Sequence, residues 1–154
     1  MPDSAEISAP DLTLRPPRSP RCRLGGYVTL PRMLDKGRAT IVGKNGEFKY
    51  DASFDQHIIN FLGFDPKAML EELRAGKSDG EILQWLKSNA RLQPTPWEIE
   101  QWSEYMIRRA PDSDAETLIF FFRHVGSFSK TREDISTWMD LIDLDDFVTF
   151  GGKP

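Results

Sequence analysis

The stretch Leu30-Pro-Arg-Met-Leu-Asp-Lys-Gly-Arg-Ala-Thr-Ile-Val-Gly43 decides how the chain is read. Its Leu30, Met33, Leu34, Ile41 and Val42 recur near the spacing of one helix face, and Pro31 suits a first turn, where a missing N–H leaves no bond unmade. The spacing predicts a first helix over 30–43. A competing reading makes 39–50 a hairpin around Asn45-Gly46. It rests on the β-branched Thr40, Ile41 and Val42, and on Phe48 and Tyr50 alternating with polar neighbours. The choice sets the fold class, because everything downstream reads as helix.

Downstream punctuation is regular. Ser53 with Gln56 has capping-box spacing ahead of His57, Ile58, Phe61 and Leu62, and Gly63 follows as a stop. Asp65-Pro66 reads as a cap and a first helical residue, Met69, Leu70 and Leu73 as a buried stripe, and Gly76 as an end. Ser78 with Glu81 and Thr95 with Glu98 repeat the box before Ile82, Leu86, Ile99, Trp102 and Met106. Ser113 with Glu116 opens a segment, Leu118 to Phe122, that is apolar around its whole circumference and so predicts a central helix. Thr131 with Asp134 opens a last helix bearing Ile135, Trp138, Met139 and Ile142, and an aromatic tail, Phe147 to Phe150, is expected to pack back.

These signals add up to an all-α fold, an irregular bundle of about six helices with short connections. Residues 24–154 read as a single helical domain. Residues 1–23 contain Pro2, Pro10, Pro16, Pro17 and Pro20, which deny backbone donors, so they read as an extended N-terminal arm rich in proline and arginine, whose stretch Arg15 to Arg21 is either a stiff strap laid across the domain or a solvated tail. Its first ten residues are expected to be mobile.

The chain of 154 residues is 39% apolar and 29% charged, the range of a globular domain rather than a disordered or membrane chain. Cys22 is the only cysteine, so no internal disulfide can form, and zinc would need His57, His124 and carboxylates. No run approaches about 18 consecutive apolar residues, and the first residues, with Asp3 and Glu6, lack an apolar run of signal-peptide length and so do not read as one. The expectation is a cytoplasmic protein that does not enter a membrane, without cofactor or metal.

The net charge of -4 is unevenly spread. Residues 15–44 hold Arg15, Arg18, Arg21, Arg23, Arg32, Lys36, Arg38 and Lys44 against Asp35 alone, and the rest is acidic. Local positive charge on an acidic body argues against nucleic acid as a partner.

That basic segment holds the site candidates. Arg32, Asp35 and Lys36 lie three and four residues apart on one side of the first helix. The plain reading is a structural ion pair. The sharper one is a pocket in which Arg21, Arg23, Arg32 and Lys36 bind the carboxylate or phosphate of a small anionic ligand, with Gly25-Gly26 letting the backbone approach. Tyr27 and Asp35 would then be catalytic acid and base. For the glycine pair the plain alternative is a turn.

The remaining chemistry-bearing residues have plain readings as well. His57, between Phe54 and Phe61, and His124 read as buried, hydrogen-bonded histidines; the acidic run Asp140, Asp143, Asp145 and Asp146 reads as a solvated helix end; Trp97, Trp102, Tyr105 and Trp138 read as core.

Leu24-Gly-Gly-Tyr27, Leu30-Pro-Arg-Met-Leu-Asp-Lys36, Arg38-Ala39, Gly43 and Gly46-Glu47 resemble a family of small uncharacterised bacterial proteins, a domain of unknown function. The likeness extends to the Arg15-Pro-Pro-Arg-Ser-Pro-Arg21 arm, Asp55, the Gly63-Phe64-Asp65 corner and Asp79-Gly-Glu-Ile82, and is weakest after Phe147. The resemblance implies a compact domain in which the first helix is a helix. It implies no reaction, substrate or catalytic residue.

Two functions compete. One is a small-molecule binding domain, or a cofactor-independent small enzyme, for an anionic metabolite. The other is a protein-interaction or regulatory module whose basic arm docks on an acidic partner or on a second copy in a homo-oligomer.

Overall fold

A computed structural model describes residues 7–154. Residues 1–6, part of the segment expected to be mobile, lie outside the described residues. A two-stranded antiparallel hairpin, β1 (Arg23–Leu24) and β2 (Tyr27–Val28), leads into seven helices among the described residues: α1 (Leu30–Ile41), α2 (Gln56–Leu62), α3 (Pro66–Arg74), α4 (Asp79–Asn89), α5 (Pro96–Arg108), α6 (Ala115–Phe128) and α7 (Trp138–Thr149). The fold is mostly helical, its seven helices corresponding one for one to those read along the sequence, where the total was put at about six, and it has a small sheet that periodicity did not reveal. No described helix is long and apolar enough to cross a membrane.

The first stretch is a helix, and 42–55 form turns rather than a hairpin. Asn45 and Gly46 sit in a turn closed by the Phe48 N–H on the Asn45 carbonyl at 2.9 Å. Helix α1 is also the centre of the protein: nine of its twelve residues are buried, among them Arg32, Asp35 and Lys36. It packs closely on α3. A Cβ at Gly37 would fall 2.7 Å from Leu73 Cδ1 and 3.2 Å from the Tyr50 ring. Apolar residues of α1 to α4 and the hairpin, including Leu30, Leu34, Ile58, Met69, Leu73 and Ile82, form the main core.

Helix α6 is not central. It packs on α7 through Phe121 and Val125, while Ile119, Phe120 and Phe122 are exposed. An apolar circumference is shared by a surrounded helix and by a surface helix with an unpartnered face, so composition does not separate them. Trp97 and Tyr105 are likewise exposed, whereas Trp102 and Trp138 are partly buried.

Caps follow the chemistry of their side chains. Ser78 and Thr95 form the expected boxes with Glu81 and Glu98. The Ser53 box does not form, and α2 starts after Asp55. The last helix begins at Trp138 rather than near Thr131, because Thr137 and Asp140 make the box there, while the Thr131 and Arg132 N–H groups are taken by Ser129 Oγ. Helix α7 then runs on through the acidic residues, and beyond its end Phe150 stacks on Phe48.

The arm is a folded strap with turns at 12–14 and 20–21, not an extended tail. Leu12 is buried and donates its N–H to the Lys44 carbonyl at 2.8 Å, and Pro17 and Pro20 are buried. The Pro20 carbonyl accepts the N–H of Thr29 at 2.9 Å. Thr29 itself turns the chain into α1 with φ 70, a left-handed conformation that costs a β-branched residue roughly 1–2 kcal/mol.

Candidate functional site

The local positive charge of residues 15–44 finds its answer in carboxylates from distant elements. Arg32 grips Asp146 of α7 with both ends of its fork, Nη1 to Oδ2 at 2.6 Å and Nη2 to Oδ1 at 3.1 Å. Lys36 Nζ donates to Asp55 Oδ2 at 2.8 Å, and Asp55 also accepts the Ala52 N–H. Asp35 is held by Arg18 of the strap. Asp79, in the first turn of α4, accepts from Arg18 at 2.9 Å and from Arg38 at 2.7 Å. Arg21 reaches Asp140 and Asp143, and Arg23 reaches Glu100 at 3.0 Å and Glu104 at 2.7 Å on α5.

Burial sets the electrostatics of these pairs. Desolvation lowers the Lys36 ammonium below the usual lysine range, against the pull of Asp55. It raises the Asp146 carboxyl, with the Arg32 guanidinium pulling back. Burial also pushes the Asp79 carboxyl up, but its two arginines outweigh that and hold it below the ordinary value. Asp140, Asp143 and Asp146 of the acidic run are therefore counter-charges of the strap and of α1, while Asp145 stays exposed, as a solvated helix end would be.

The expected site residues lie in different places. Arg32 and Lys36 border one cleft, of about 520 Å3, together with Phe48 and Asp146. Arg21 borders a smaller one, of about 220 Å3, with its own carboxylates. Tyr27 lines a third, and Arg23 and Asp35 border none of these. The four cations do not gather around one concavity, and Tyr27 shares no described cleft with Asp35.

The cleft at Tyr27, of about 560 Å3, lies between the hairpin, α4 and α5. Leu62, Leu83, Leu86, Leu92 and Ile99 build its walls. The segment after α4 is tied to the end of α2 by the Arg91 and Leu92 N–H groups on the Gly63 and Leu62 carbonyls. Gly25 and Gly26 make the hairpin turn at positive φ, and a Cβ would fall 2.6 Å from Leu83 at the first and 3.0 Å from Ile99 at the second. The pair is a turn pressed onto α4 and α5. Ser103 of α5 locks it there, donating to the Gly26 carbonyl at 2.7 Å and accepting the Val28 N–H at 3.2 Å.

Tyr27 is only 7% exposed and meets Trp102 edge-on. Its hydroxyl has no hydrogen-bond partner among the described residues. Burial raises its pKa, so it stays protonated at neutral pH and can donate. Lys87 at the rim makes no ion pair among the described residues and is exposed. Gln93 spends its amide N–H groups on the Leu86 and Ala90 carbonyls, which leaves its oxygen as an acceptor. Sequence reasoning passed over Lys87 and Gln93. The one local signal was the pair Pro94 and Pro96, which fixes an extended connection between two well-capped helices.

The histidines serve local structure. His57 is half-buried, meets Phe54 edge-on and accepts at Nε2 from Arg109 Nη1 at 3.2 Å. Burial, and then the Arg109 charge, lower its pKa. His124 lies against Phe120 of its own helix.

No curated protein matches the chain. A family model described as a domain of unknown function (DUF5069) matches residues 14–148. That span runs from the strap into α7 and holds all the ion pairs that bind strap, α1 and α7 together, as well as the cleft at Tyr27. The chain belongs to this DUF5069 family, and the family assigns it no activity.

Proposed function

We propose that the chain binds a small organic acid with an apolar body in the cleft between the hairpin, α4 and α5. The observation that carries this reading is Tyr27, which is among the residues lining a cleft built mainly of leucine and isoleucine and whose protonated hydroxyl has no protein partner among the described residues. Apolar walls take up a ligand's body, and a few placed polar groups orient its head. Lys87 supplies a cation for that head, and Gln93 an acceptor. The anionic ligand expected at the arginines thus moves to Lys87, because carboxylates already neutralise the arginines. The working compartment we propose is the bacterial cytoplasm, whose reducing conditions suit a chain with one cysteine.

The test is thermal unfolding with a panel of aliphatic and aromatic carboxylic acids and their neutral amides. A ligand at about 100 times its Kd adds roughly 2.7 kcal/mol. Acids are expected to raise the midpoint more than their amides. Tyr27→Phe and Lys87→Ala should shrink the rise, and Arg32→Ala should leave it unchanged. The reading falls if no acid stabilises the chain, or if the Tyr27→Phe/Lys87→Ala double variant responds as the parent does.

A further inference from the structure

The outward face of α6 has a pattern the monomer does not use. Ala115, Ile119, Phe122 and Gly126 lie about a third of the way round the helix from the buried Phe121 and Val125, and all four are exposed, Ile119 by 57% and Phe122 by 62%. Their spacing of four, three and four residues is the apolar seam of a coiled coil. It also reads the same in both directions. Turned end for end, the seam places Ile119 against Phe122 and Ala115 against Gly126. Beside it lie Glu116 and Arg123, both exposed and neither in an ion pair among the described residues. In an antiparallel pair of α6 helices each Glu116 faces the partner's Arg123, twice by symmetry, whereas a parallel pair leaves these charges without each other.

Gly126 adds an independent observation. A glycine inside a helix costs roughly 0.5–1 kcal/mol relative to alanine. A Cβ there would meet nothing within 4 Å, so packing within the chain does not require the glycine. Close approach of a second helix is one use for a position without a side chain.

We propose that two copies of the chain associate through α6, antiparallel, around Ile119 and Phe122, with Glu116 paired to Arg123 across the two-fold axis. Self-complementary spacing and complementary charge identify the occupant of this face as a second copy. One helix of 14 residues spans about 21 Å, a small contact beside the roughly 800 Å2 per partner of a standard interface, so the dimer is weak and concentration-dependent.

Sedimentation equilibrium of the full chain from about 1 μM to about 1 mM tests this. A monomer–dimer equilibrium is expected. Phe122→Glu should abolish it with the circular dichroism melt retained, since the side chain is exposed in the monomer. Glu116→Arg alone and Arg123→Glu alone should each weaken it about tenfold or more, and the double exchange Glu116→Arg/Arg123→Glu should restore it. A chain that stays monomeric at about 1 mM, including one that instead uses this face for a different protein, overturns the proposal. So does a dimer indifferent to Phe122→Glu, or one that the double exchange fails to restore.

Discussion

Arg18 gives Asp35 both its backbone N–H, at 2.9 Å, and the side of its guanidinium, with Nε and Nη2 at 3.0 and 2.9 Å. One residue of the strap is thereby fastened twice to the buried face of the central helix. The same guanidinium turns its other nitrogen to Asp79 at the start of α4. The strap is part of the fold rather than a free basic arm.

Arg18→Ala should therefore lower stability by about 2 kcal/mol, the range of hydrogen bonds to charged groups, because Asp35 keeps the Arg18 N–H and loses its counter-charge. Urea unfolding measures the loss. Limited proteolysis read by intact mass should show cleavage within residues 7–22 sooner than in the parent. Equal cleavage rates would mean that burial of Leu12, Pro17 and Pro20 alone holds the strap.

Lys36 and Asp55 are the most deeply buried pair, their side chains 7% and 3% exposed. Lys36→Met strands a buried carboxylate and is expected to cost about 3–5 kcal/mol. Lys36→Met/Asp55→Asn should recover most of that loss, since asparagine stays neutral and its oxygen still accepts the Ala52 N–H. A double-mutant cycle by urea unfolding checks the coupling. Purely additive losses would show that the two groups act independently.

His57 makes stability depend on pH. Burial and Arg109 lower its folded-state pKa below the ordinary 6.5, so as pH falls the unfolded chain takes the proton first. The stability this group contributes is complete above about pH 6.5 and is lost as pH falls below it, through the folded-state value. Urea midpoints between pH 7 and pH 5 should drop more steeply in the parent than in His57→Gln. Parallel slopes would assign the acid sensitivity to carboxylates instead.

Much of the fold was legible because caps, stripes and stops are local. Ser78 with Glu81, Thr95 with Glu98, Asp65-Pro66 and Gly63 act within four residues of themselves, and each does what its chemistry requires. The last helix was misplaced for the same reason: Thr131 and Thr137 carry equivalent cap spacing, but at the first Ser129 Oγ takes the N–H groups and Arg132 takes the Asp134 carboxylate.

The candidate site was legible only in part. Tyr27 stood out by sequence, but its cleft depends on Leu83, Lys87 and Gln93, which helical periodicity assigns to ordinary surface and core. The arginines stood out for their charge. Their neutralisation did not, since Asp146 lies 114 residues from Arg32, and Asp143 lies 122 from Arg21.

Sequence by itself determined that the chain is mostly helical and where most helices begin, since those outcomes depend on backbone preferences and side chains a turn apart. It predicted a first helix over 30–43 but left a hairpin over 39–50 open, and the structure ends the helix at Ile41. Only the tertiary structure decided which helix is central. Periodicity nominated α6, whose apolar surface is left partly bare, over α1, whose charges look like a solvated face. Burial of a charge depends on a partner brought from far along the chain, and no window of local sequence contains Arg32 together with Asp146, or Lys36 together with Asp55.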